Sequence, residues 1–474
     1  MPGRNTIHSQ QEDPLDAVLR PPIDETEDEK AQRVAAEEEA RRVSHEIDEE
    51  IKQDKLARKK GKIVRLLLLG QSESGKSTTL RQFQRIYAPN AFREERILWR
   101  SVIQLNLVRS IRIILDTVQD IRRHELVSED DFPDEYSDMR VGPPPHLEDI
   151  CMRLLSIRHV ESLLIAKLVP PNEDEATHLG IHDRDDHYTH DYRHNEVFVR
   201  PTTTWKTMKR SGRPSSLGTT GQETPDESQS IIHECRHDIM ALWNDHTVRS
   251  VLKKRKIRLE ESPGFFLDDL ERVTSLKYLP SDEDVLKARL KTVGASEYRF
   301  HMEAGSESGT EWRIIDVGGS RSQVPTWIPY FDDVNAIIFL APISGFDQTL
   351  VEDRSVNRLE DSVLLWKMVC SNKLLAKVEV VLFLNKCDIL ASKLKSGIRL
   401  AKYVRSYGDR PNDAESVEKY FRSKFNAIQR EQSPLARKFY GFCTSVTDPK
   451  TTMGILASVR DMVMREHLKA SRLL

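Results

Sequence analysis

The sequence predicts an α/β protein: a doubly wound, mostly parallel sheet interrupted by a large helical insertion. Three observations predict it. The apolar run Ile63-Val64-Arg65-Leu66-Leu67-Leu68-Leu69 ends in Gly70-Gln71-Ser72-Glu73-Ser74-Gly75-Lys76-Ser77, with helix-compatible Thr78-Thr79-Leu80 behind it. From Tyr298 onward, strand-sized apolar runs alternate with helical patterns. Between Ser77 and Thr292 the periodicity is helical.

In chain order, residues 1–29 are polar and proline-punctuated and read as disordered. Glu29–Lys60 reads as a charged helix with Val43, Ile47 and Ile51 on one narrow stripe. Its spacing fits a solvated helix and a docking helix equally. After the glycine-rich loop and its helix, residues 92–126 predict one long amphipathic helix, with Val102, Leu105, Ile111 and Leu115 on its apolar face. Helical pattern returns at 146–169 and Ile231–Lys256, separated by a polar insertion over Pro170–Ser230 that reads as flexible. Ser128–Pro145 is a shorter acidic, proline-rich break. His178, His182, His187, His190 and His194 crowd the insertion. They offer a metal site or a solvated polar tract, and the absence of cysteine or regular ligand spacing favours the tract. Strands are expected at Trp312–Ile315, Ala336–Leu340, Val378–Leu384 and Phe439–Cys443, and a final helix over Thr452–Leu468.

Composition narrows the function. The 474 residues are 38% hydrophobic and 31% charged with a formal net charge of −3, which argues against nucleic-acid binding through a broad basic surface. Five scattered cysteines without a C-x-x-C pair suit a reducing compartment. No apolar run reaches the roughly 18 residues of a membrane helix. Met1-Pro2-Gly3-Arg4 lacks the apolar core of a signal peptide, so a cytoplasmic location is expected.

The chemistry sits at predicted strand ends. Glycines 70 and 75 let backbone N–H groups turn inward around phosphate oxygens, Lys76 supplies a cation to the β- and γ-phosphates, and the Ser77 hydroxyl suits Mg²⁺. After the second strand comes Asp316-Val317-Gly318-Gly319: the aspartate reaches Mg²⁺ through water, and the Gly319 N–H meets a γ-phosphate. After the Val378–Leu384 strand comes Asn385-Lys386-Cys387-Asp388. The Asp388 carboxylate accepts from the ring N–H and exocyclic amine of guanine, a donor pair adenine lacks, so GTP is preferred over ATP. Asn385 braces the loop and the Lys386 stem covers the base.

These residues together make the chain resemble the α subunit of a heterotrimeric G protein, from about Ser44 to the C-terminus. The resemblance implies a Ras-like P-loop GTPase domain at 62–84 and 284–474, an all-helical domain at 85–283 containing the 170–230 insertion, and an N-terminal extension and helix at 1–61. Asp284 to Thr292 is similar to the family's first switch: Leu286, Lys287 and Ala288 border the nucleotide, Arg289 matches the arginine finger, and Thr292 the second Mg²⁺ ligand. Glu352-Asp353 and Asn357-Arg358 resemble the third switch, and Ser445 takes the small-residue position of the guanine-contacting T-C-A-T. The implied cofactors are GTP/GDP and Mg²⁺, bound through Gly70 to Thr78, Thr292, Asp316, Gly318, Gly319, Asn385, Lys386, Asp388 and Ser445. The implied partners are a βγ dimer, a G protein-coupled receptor and a downstream effector, with peripheral association at the inner face of the plasma membrane.

The sequence also departs from the family. Ser320 stands where the catalytic glutamine follows D-V-G-G, and Ser72 replaces a loop glycine, so slow GTP hydrolysis is expected while Arg289 retains its position. A GTP-binding interaction protein that has lost switching or hydrolysis is the alternative. Pro325 should perturb a helix in the second switch. Pro2 replaces a myristoylatable glycine, no cysteine precedes Cys151, and Ser471-Arg472-Leu473-Leu474 lacks the cysteine some members carry, so the family's lipid anchors are not expected.

Overall fold

The computed structural model describes residues 26–59, 63–126, 144–168, 226–255, 257–292, 294–302, 310–332, 334–350, 352–445 and 449–470. The chain divides into two units, Met1–Lys62 and Ile63–Leu474. In the first, helix α1 spans Glu27–Lys59, close to the predicted bounds. Its Val43, Ile47 and Ile51 are exposed, and the Arg33–Glu37, Glu39–Arg42 and Glu49–Lys52 pairs stabilise it at one-turn spacing.

In the second unit, β1 (Ile63–Leu69) enters the glycine-rich loop and α2 (Lys76–Tyr87) leaves it. A helical body follows: α3 (Pro89–Glu95), α4 (Trp99–Leu126), α5 (Pro145–Arg153), α6 (Ser156–Leu168), α7 (Glu227–Glu234), α8 (Arg236–Asn244), α9 (His246–Lys254), α10 (Leu270–Val273) and α11 (Asp282–Lys287). The chain returns through β2 (Ala295–His301), β3 (Glu311–Val317), β4 (Ala336–Pro342), α12 (Arg358–Ser371), β5 (Glu379–Asn385), α13 (Cys387–Lys395), α14 (Ala414–Gln432), β6 (Tyr440–Cys443) and α15 (Pro449–Ala470).

The six-stranded sheet has the order β2-β3-β1-β4-β5-β6, with β2 antiparallel on β3 and the other pairings parallel. Period-two geometry explains why β1 is apolar throughout. Val64, Leu66 and Leu68 pack with Leu80 and Phe83 of α2 and Leu456 and Val459 of α15, while Leu67 and Leu69 pack with Trp366 of α12 and Phe421 and Phe425 of α14. The helical body has its own core, from Phe92 through Ile103, Leu164 and Trp243 to Val285 and Ala288.

Several predicted helices are subdivided. The 92–126 helix is α3, a 3-10 turn at Arg96–Leu98, and α4; the apolar stripe lapses there, with Ile97 65% exposed. The 146–169 helix breaks at Leu154, whose φ of −83° and ψ of 4° leave the α region. Ile231–Lys256 is parts of α7, α8 and α9; extended Asp245 ends α8 and caps α9 by accepting from the Val248 N–H at 3.0 Å. Ser228 and Gln229, assigned from sequence to the flexible insertion, are buried in α7, where Gln229 accepts from Gln104 at 2.5 Å and donates to Ser275 O at 2.7 Å. The five insertion histidines lie outside the described residues.

Candidate functional site

The carboxyl ends of the parallel strands are where a doubly wound sheet holds its ligand, and the predicted residues gather there. Gly70 has φ 139°, and a Cβ on it would meet Leu340 O of β4 at 2.4 Å, so the loop approaches the sheet only as glycine. Gly75, at φ 105°, opens α2. Glu73 holds the left-handed conformation at φ 59°, a strain that clusters at functional sites.

Lys76 is buried and donates to the Gly70 and Gln71 carbonyls at 2.8 Å each. Burial lowers its pKa to about 8, against the opposing pull of Asp316. Beside it, Ser77 Oγ donates to Asp316 Oδ2 at 2.5 Å, Thr292 Oγ1 donates to the same oxygen at 3.2 Å, and the two hydroxyls lie 3.2 Å apart. Burial pushes the Asp316 carboxyl up, and its Oδ1 is buried without a hydrogen-bond partner. Two hydroxyls and a buried carboxylate with an unused oxygen fit a hard cation such as Mg²⁺. Thr78 follows in the first turn of α2.

Gly319 lies directly over this cradle. Ser72 N–H donates to Gly319 O at 2.9 Å, and a Cβ on Gly319 would meet Lys76 Nζ and Ser72 N, each at 2.5 Å. Gly318 donates to Gly294 O at 2.8 Å and accepts from the buried Trp327 indole at 2.8 Å. Ser320 Oγ lies 3.4 Å from Ser322 Oγ. The following Arg321–Tyr330 segment is a 3-10 run containing Pro325 and Pro329, the helix perturbation expected from sequence.

Arg289 pairs with Glu73 at 2.6 Å, and Arg358 pairs with the other Glu73 oxygen at 3.1 Å. Burial alone would raise Glu73, but Arg289, Arg358 and Lys386 hold its carboxyl well below the usual carboxylate range. Arg358 also donates to Ser72 O at 2.9 Å, and Gln71 donates to Arg358 O and Ser362 Oγ at 2.7 Å each, so α12 grips the loop.

At the far end, buried Asn385 donates to Ser74 O at 2.7 Å and accepts from Thr444 Oγ1 at 3.1 Å, tying the loop to the segment carrying Ser445. Lys386 sits left-handed at φ 64° before α13; burial, with a further push from Arg358, lowers its pKa to about 8. Asp388 stands exposed in the first turn of α13.

Several positioning residues have no sequence signal. Asn106 of α4 accepts from the Arg289 N–H at 2.7 Å and donates to its carbonyl at 2.9 Å. Gly264, at φ 81°, makes room for it, since a Cβ there would meet Asn106 Oδ1 at 2.7 Å. Arg81 donates to Val285 O at 2.5 Å and to Ala288 O at 2.6 Å. Leu286 and Ala288 are buried, and Lys287 accepts from Gly264 N at 3.0 Å through its carbonyl. Gln323 is a fourth: a Cβ on Gly318 would fall 1.5 Å from its Oε1, so its amide lies against the D-V-G-G turn. All but the Gln323 contact join residues far apart in sequence.

The fold and this constellation define a phosphate-loop GTPase with an inserted helical body. The G-protein alpha subunit family matches residues 41–463. The guanine nucleotide-binding protein alpha-4 subunit of Mycosarcoma maydis is 31% identical, covering 97% of this chain and 95% of its own length. The alpha-2 subunit of Neurospora crassa is 29% identical over 90% of this chain and 94% of its own, and the alpha-1 subunit of Saccharomyces cerevisiae 28% over 86% and 90%. The chain belongs to the G-protein α-subunit family. It is a guanine-nucleotide-binding signalling switch and GTPase working with GTP/GDP and Mg²⁺; βγ dimers, receptors and effectors are its partner classes. Among the described residues no helix is long and apolar enough to cross a membrane.

Proposed function

We propose that this chain is a G-protein switch that holds GTP for long periods because its hydrolytic machinery is reduced at one position. Phosphates lie on the 70–78 loop, the first switch runs from Leu286 to Thr292, Asp388 and Ser445 hold guanine, and residues 85–283 form the helical domain. Ser77 and Thr292, with Asp316 through water, would hold Mg²⁺, which would supply neutralisation of phosphate charge. Lys76 exchanges its carbonyl partners for phosphate oxygens. Arg289, released from Glu73, stabilises charge developing on the γ-phosphoryl oxygens.

The observation behind slow hydrolysis is Ser320. Its single hydroxyl lies beside Ser322 and is too short to hold both water and a phosphoryl oxygen. Single-turnover hydrolysis of bound GTP is expected to accelerate about tenfold or more in Ser320→Gln; an unchanged rate removes the proposal.

Gln323 favours a second reading, in which its amide substitutes for the missing glutamine from three residues later. Here Gln323→Ala abolishes the residual hydrolysis, and Ser320→Gln adds nothing. Under the first reading Gln323→Ala is silent.

A further inference from the structure

Beyond the nucleotide site, a second cluster of ligand-type side chains lies behind the guanine loops. Cys387 opens α13, Cys443 ends β6, and Glu418 projects from α14, which packs on both elements. One ligand atom from each, two sulfurs and a carboxylate oxygen, lie within 4.8 Å of one another, and all three residues are half-buried. The backbone already converges there: Thr444 N–H donates to Leu384 O at 2.8 Å and Cys387 N–H to Thr444 O at 3.2 Å. The Glu418 carboxylate lies within hydrogen-bonding reach of the Cys387 thiol. The remaining cysteines, Cys151, Cys235 and Cys370, are buried elsewhere.

We infer that Cys387, Cys443 and Glu418 form a binding site for a thiophilic divalent cation of the zinc class, which braces the guanine-binding loops. Three protein donors of mixed sulfur and oxygen type, with a fourth position left to solvent, match the tetrahedral preference of that class. Mg²⁺ prefers an all-oxygen shell, so the two cation sites do not compete. Oxidation is the weaker alternative. The hydrogen bond to Cys443, then burial, push the Cys387 thiol up; a protonated thiol is a poor nucleophile, whereas a bound cation displaces the thiol proton to solvent and ligates the thiolate.

The consequence for switching rests on the proposed guanine role of Asp388 and Ser445. Asp388 follows Cys387 by one residue and Ser445 follows Cys443 by two, so a cation joining the sulfurs fixes the base-holding segments against each other. Anchoring them to Glu418 of α14 restrains the segments proposed to hold the base and so slows GDP release.

The test uses the full-length, GDP-loaded protein with excess Mg²⁺ and a phosphine reductant. Titration with Co²⁺ is expected to give a thiolate-to-cobalt charge-transfer band that Zn²⁺ removes, a signature that histidine or oxygen sites do not produce. The band is lost in Cys443→Ser and weakened in Glu418→Gln. Zn²⁺ slows release of a fluorescent GDP by about fivefold or more in the native protein and not in Glu418→Gln. Absence of the band, or its full retention in both variants, overturns the site. A normal band with unchanged GDP release overturns the bracing and leaves the guanine assignment, measured separately by GTP-against-ATP competition, untouched.

Discussion

Replacing Asn106 with alanine removes both hydrogen bonds that fix the Arg289 backbone, at 2.7 and 2.9 Å, without touching the arginine side chain. Each is worth about 1 kcal/mol net, so the pair contributes about 2 kcal/mol. If that energy serves to position the guanidinium in the transition state, its loss lowers the hydrolytic rate by about 30-fold. The assay is single-turnover hydrolysis of preloaded GTP in a four-protein cycle: native, Asn106→Ala, Arg289→Ala and the double variant. Because Asn106 acts through Arg289, the asparagine substitution is expected to cost about 10- to 30-fold alone and nothing further in the arginine variant. GTP affinity should change less than the rate. A rate within about twofold of native, or an equal loss in both backgrounds, refutes the reasoning.

Two other outcomes follow from the loop. With its folded pKa near 8, Lys76 loses its charge as pH rises through that value, so GTP affinity should weaken from about pH 7 to about pH 9. Lys76→Met should flatten that component in isothermal titration. For stability the sign reverses: the unfolded lysine titrates near 10.5, so between about pH 8 and 10.5 the unfolded chain binds more protons and the burial penalty lessens as pH rises. Separately, Gly319→Ala places a methyl 2.4 Å from the Gln71 carbonyl carbon and 2.5 Å from Ser72 N, backbone atoms that cannot step aside. It should abolish the Trp327 fluorescence change on adding a non-hydrolysable GTP analogue; a native-sized change would mean that the loop and the D-V-G-G turn do not close on each other during switching.

Much of the site was legible in sequence because its parts are local. A glycine-rich loop, D-V-G-G and N-K-C-D each carry their chemistry within a few residues, and each follows a strand whose apolar run is readable by itself. Ser320 and Pro325 stood out only against the pattern that the family resemblance implies. Helix breaks were less legible, because Leu154 and Asp245 interrupt otherwise continuous helical patterns through backbone conformation and capping. Gln229 looked like part of a polar insertion because its burial is repaid by Gln104 and Ser275, partners remote in sequence.

By itself, then, the sequence determined five of the six strands, missing the antiparallel edge strand β2, together with the nucleotide class, since short-range spacing governs phosphate and guanine recognition. Only the tertiary structure decided that Glu73 holds Arg289 and Arg358, that Asn106 fixes Arg289, and that Gln71 ties the loop to α12. It also brought Cys387, Glu418 and Cys443 within one cation's reach. The physical reason is common to all four: hydrogen bonds and ligand distances are set by which helices and strand ends pack together, and no spacing along the chain encodes that.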